Sequence, residues 1–106
     1  MKVLLEEISK GRQNIFVQKI IQGTNNIIRL ELNSDSIEAQ CRAVVSVFDK
    51  TTNNWNRLYQ HFNHSIPSQL RHLINDNQSP DCLLHHFAAE IKHLQQIAGK
   101  ILQDKF

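Results

Sequence analysis

Residues 38–62 constrain this chain more than any other stretch, because two alternating segments flank the polar hexapeptide Asp49-Lys50-Thr51-Thr52-Asn53-Asn54. Period-two alternation broken by turn-forming residues reads as a long antiparallel hairpin, since successive side chains of a strand point to opposite faces. On the first arm Cys41, Ala43, Val45 and Val47 share one face, and Arg42, Val44, Ser46 and Phe48 share the other. With the turn centred on Thr51 and Thr52, and Phe48 opposite Trp55, the second arm adds Leu58 and Phe62 to the first face. Trp55, Arg57, Tyr59 and His61 then fall on the second.

The first face is the expected bed for a helix. The second collects Arg42, Phe48, Trp55, Arg57, Tyr59 and His61, and Arg29 of the neighbouring strand is placed to join them. This is the expected binding or interface face.

Upstream, Ile15-Phe16-Val17-Gln18-Lys19-Ile20-Ile21 is rich in β-branched and aromatic residues, which favours a strand over Asn14 to Gln22. Gly23-Thr24-Asn25-Asn26 is turn chemistry. Ile27 to Asn33 then alternates, with Ile28, Leu30 and Leu32 on one side and Ile27, Arg29 and Glu31 on the other. Residues 1–10 fit a short helix bearing Met1, Leu4, Leu5 and Ile8 on one side, or an edge strand ended by Gly11, equally well. The expectation is therefore an antiparallel meander of four strands.

After His64 the period changes. Ser65-Ile66-Pro67-Ser68 is a helix start, and Leu70, Leu73 and Ile74 give a short helix over 67–75 one apolar side. Ser79-Pro80-Asp81 opens a longer one, with a capping residue, a first-turn proline and an acid at the positive end of the dipole. Leu84, Phe87, Ile91, Leu94, Ala98 and Ile101 recur at steps of three and four, widened by Ala88, Ile97 and Leu102. A stripe of that width suits packing on a sheet better than a coiled-coil seam. The fold expected is α+β: the four-stranded meander, covered on one face by the long C-terminal helix, with the shorter helix before it. The core would hold Val45, Val47, Leu58, Phe87, Ile91 and Leu94.

A length of 106 residues fits one domain, 1–106, large enough for a core without disulfides or metals. Twelve Lys and Arg against ten Asp and Glu leave a charge of +2, too balanced for strong non-specific attraction to phosphate backbones. The first residues do not form a secretion signal, and no apolar stretch approaches the ~18 residues of a membrane span. Two cysteines do not make a secreted disulfide scaffold, so a reducing cytoplasmic setting is expected. Ten Asn and ten Gln supply amides for turns and polar contacts.

All six histidines, His61, His64, His72, His85, His86 and His93, lie in the second half. Cys82, His86 and His93 project from one side of the last helix, but His86 and His93 stand about 10 Å apart along its axis, which is not convergent ligation. Paired Cys-x-x-Cys and His-Glu-x-x-His patterns are absent, so neither a metal site nor a cofactor is expected. Cys82, in a helical first turn near His85 and His86, is the one nucleophile that can be assembled. No orienting third group accompanies it, and Asp81 opposes a thiolate.

The resulting expectation is a non-enzymatic binding, adaptor or regulatory protein acting as a homodimer through the aromatic and basic face. The alternative is a single-stranded nucleic acid binder using that face, since rings stack bases while guanidinium groups meet phosphates. A thiol or metal enzyme is a distant third.

Overall fold

In the computed structural model, residues 1–11, 14–35, 40–63 and 80–106 are described; within them the side chains of Lys10, Asp35, Gln40, Cys41, Phe62, Asn63 and 80–86 are not. Among the described residues five strands, β1 (Lys2–Lys10), β2 (Asn14–Gln22), β3 (Ile27–Asp35), β4 (Gln40–Asp49) and β5 (Asn54–Asn63), precede one helix, α1 (Pro80–Leu102). The strands form one antiparallel sheet in the order β1-β2-β3-β4-β5, so each pairs with its sequence neighbours. The meander thus has five strands rather than the expected four. The additional one is residues 2–10, whose apolar positions also fit a helical turn; pairing with β2 decides between the two periods, a tertiary contact that local pattern does not encode. The shorter helix expected over 67–75 lies outside the described residues.

One sheet face carries the core. Ile15, Val17 and Ile21 of β2, Ile28, Leu30 and Leu32 of β3, and Ala43 and Val45 of β4 are buried under Phe87, Ile91, Leu94 and Ala98 of α1. The β2–β3 and β3–β4 registers place Val17, Leu32 and Ala43 in one row and Ile21, Ile28 and Val47 in another, which is why these strands alternate so regularly. Leu58 packs against this cluster, while Val47 is only half-buried beside it. Beyond Ala98 the helix turns Leu102 inward and leaves Ile101 49% exposed, because a 3.6-residue period carries the i+3 position out of the contact stripe.

The helix ends in a Schellman arrangement: Gln103 takes a left-handed φ of 52°, and the Asp104 N–H donates to the Gly99 carbonyl at 3.2 Å. That turn delivers the Asp104 carboxylate to the β2–β3 connection. It accepts the backbone N–H groups of Thr24, Asn25 and Asn26, each at 2.9 Å, and the Asn26 side-chain amide at 3.0 Å. Burial pushes the Asp104 carboxyl up, but the N–H groups of Asn25 and Lys105, the Asn26 amide and the Thr24 N–H outweigh it and hold the group well below the usual carboxylate range.

No helix among the described residues is long and apolar enough to cross a membrane.

Candidate functional site

The sheet face opposite α1 is built by the odd-numbered side of β3 and the even-numbered side of β4. Cross-strand partners put Arg29 beside Ser46, Glu31 beside Val44 and Asn33 beside Arg42, continuing outward to Phe16, Gln18 and Ile20 of β2. On the other flank Ser46 pairs with Arg57 and Phe48 with Trp55, the register expected for the hairpin. Its connection is fixed by Asp49, whose carboxylate accepts the Thr51 N–H at 2.9 Å, and by Asn53, which takes the positive φ of 58° that asparagine tolerates. The Thr51 N–H is the main cause holding the Asp49 carboxyl below its ordinary value.

Arg42, Phe48, Trp55 and Arg57 therefore lie together, and Arg29 joins them. The Arg29 guanidinium carbon sits 4.8 Å from the centroid of the Trp55 ring, and Phe48 meets the same ring edge-on with centroids 5.3 Å apart at 60°. Attraction of a cation to an aromatic face and edge-to-face packing both favour these geometries. Arg29 Nε is also 2.9 Å from Glu31 Oε1. Arg57 Nη1 donates to Gln60 Oε1.

Between these groups runs a shallow groove of about 300 Å³, lined by Arg29, Arg42 and Arg57, by Phe16 and Trp55, and by Glu31 and Asn33. Val44 and Ser46, 8% and 4% exposed, also line it, on the face turned away from α1. The lining sets three guanidinium groups against one carboxylate.

Tyr59 and His61 are not on this face. The β4–β5 register slips between Val45 and Ser46: Ser46 pairs with Arg57, Val45 with Tyr59 and Ala43 with His61. Leu58 is the extra residue of a β-bulge, and such an insertion reverses the facing of everything after it. Tyr59 consequently packs against the core cluster, stacked on His61 with ring centroids 6.5 Å apart at 15°.

Phe16, Glu31 and Asn33 belong to the groove but were not singled out from the sequence. Their signal was the parity of β2 and β3: once Arg29 faces away from the helix, Glu31 and Asn33 must do so too, and Phe16 is the cross-strand partner of Asn33.

Among the described residues no three His, Cys, Asp or Glu side chains converge as metal ligands. His93 is exposed on α1. The thiol arrangement of Cys82 with His85 and His86, like His64 and His72, lies outside the described side chains. No family model matches this chain, and neither a curated protein nor a solved structure is similar to it.

Proposed function

We propose that the protein is a non-enzymatic binding module that holds an extended anionic ligand, a single-stranded nucleic acid, across the sheet face opposite α1. The observation that carries this reading is the groove lined by Arg29, Arg42 and Arg57 together with a half-buried Trp55, with Glu31 as the one opposing charge among the described lining residues. Guanidinium groups meet phosphates in a planar, bidentate fashion, while aromatic rings accept bases of any sequence at ~1–3 kcal/mol each. A five-stranded face gives such a ligand length to lie along, and a single strand suits it better than a duplex, whose bases are already stacked.

Self-association through the same face is less well supported. Its rings already contact one another and Arg29, and among the described residues the large exposed apolar side chains are Met1, Val3, Leu4, Leu5 and Ile101, none of them from β4 or β5.

Trp55 is the single tryptophan, so its fluorescence reports directly on the groove. A short single-stranded oligonucleotide should quench it at low salt. With three guanidinium groups lining the groove and a slope of about −0.7 per neutralised phosphate, log K should fall with log salt at a slope near −2 if each meets one phosphate. Arg57→Ala should flatten that slope by roughly one phosphate equivalent, and Trp55→Phe should weaken binding without changing it. Absence of quenching at low salt with tens of micromolar oligonucleotide, on the order of the weakest non-specific affinities, would discard the reading.

A further inference from the structure

Among the described residues the first strand pairs with β2 on one side only, and it and Met1 before it hold all but one of the large exposed apolar side chains: Met1 is 75%, Val3 42%, Leu4 44% and Leu5 36% exposed. A nine-residue edge with such side chains is a template for another strand. The geometry points to a second copy of this chain as the occupant, with two β1 strands joined antiparallel into one continuous ten-stranded sheet.

The register follows from the bulge in β1. Pairing with β2 sets Lys2, Val3, Leu5, Glu6 and Glu7 in successive rows, with Leu4 as the extra residue between Val3 and Leu5. Lys2 and Glu7 therefore fall on the face turned away from α1, beside Gln22 and Gln18, while Val3 and Glu6 fall on the α1 face, beside Ile21 and Lys19. A two-fold axis through the row of Leu5 brings Leu5 against the partner's Leu5. It also sets Lys2 against the partner's Glu7, and by symmetry Glu7 against the partner's Lys2. Every pair then faces the same side of the joined sheet, as an isologous contact requires.

Moving the axis to the row of Glu6 would place like carboxylates directly opposite, which is destabilising. Moving it to Val3 would remove both ion pairs. Charge complementarity thus selects one register among the neighbours, and the bulge makes it possible: without Leu4 as an extra residue, Lys2 and Glu7 would face opposite sides of the strand. The exposed Leu4 and Leu5 of both copies are drawn to the centre of the contact.

Sedimentation or light scattering at high micromolar concentration tests this on the full chain. The wild-type protein should be a dimer. Glu7→Lys and Lys2→Glu, each placing like charges opposite one another twice per interface, should each give a monomer. The double variant K2E/E7K restores opposite charges and should restore the dimer. Trp55 fluorescence and circular dichroism show that the variants remain folded, since both positions are exposed. A monomeric wild-type chain, a dimer that persists in E7K, or a double variant that stays monomeric while folded would each overturn the inference. Oligonucleotide binding by a monomer would leave the groove reading standing while this one fails.

Discussion

Leu94→Ala measures whether α1 closes the core. Leu94 is 2% exposed and belongs to the cluster that joins the helix to β2, β3 and β4. Truncation removes three carbons, worth about 2.4 kcal/mol of transfer at ~0.8 kcal/mol for each. A partly unrelaxed void of roughly 50 Å³ adds about 1.2 kcal/mol at ~24 cal/mol per Å³. The expected loss is therefore about 3–4 kcal/mol. Urea denaturation followed through Trp55 would read it as a midpoint lowered by about 2 M, for a slope near 1.5–2 kcal/mol per M. Gln96→Ala, an exposed change on the same helix, should stay within ~0.5 kcal/mol and so separates packing from helix propensity. A loss at Leu94 below about 1 kcal/mol, or one equal to that of Gln96→Ala, would refute the assignment of α1 as the cover of the sheet.

Two further outcomes probe the corner where the chain end meets the β2–β3 turn. A Cβ at position 23 would stand 2.7 Å from both the Lys105 carbonyl oxygen and a Phe106 ring carbon, so Gly23→Ala should cost ~1–3 kcal/mol in denaturant titrations; an unchanged midpoint would mean that the terminal segment does not pack there. The Asp104 carboxyl is depressed in the folded protein from an ordinary value of 3.8, so its contribution is present above that pH and lost as pH falls through it toward the folded value. The gap in stability between wild type and Asp104→Asn should therefore narrow as urea midpoints are taken from pH 6 down to about pH 2.5, and a gap constant across that range would contradict the assigned hydrogen bonds.

The central strands and the long helix were legible because their patterns are strict. Ile28, Leu30 and Leu32 alternate against Ala43 and Val45, and Phe87, Ile91, Leu94 and Ala98 repeat at helical spacing, so burial follows from period alone. The groove was legible in part for the same reason: Arg42 and Phe48 lie on the strand without the inserted residue, and Trp55 and Arg57 precede the bulge on the other. Tyr59 and His61 follow it. Nothing in Arg57-Leu58-Tyr59 marks an inserted residue, since no glycine or proline punctuates it and Leu58 and Tyr59 both suit a buried position. Strand β1 was ambiguous because Leu4, an extra residue relative to β2, breaks the alternation that would have identified it.

The Asp104 contact joins positions 78 to 80 residues apart in the chain. In an isolated β2–β3 hairpin the amides of Thr24, Asn25 and Asn26 would lie in an exposed turn and exchange with solvent freely. In the whole protein their protons are released only when the end of α1 lifts away. Amide hydrogen exchange at these three loop positions therefore times the undocking of the helix terminus, in the way that exchange in central strands times global opening. A turn that local structure would leave labile becomes a clock for a contact made some 80 residues away along the chain.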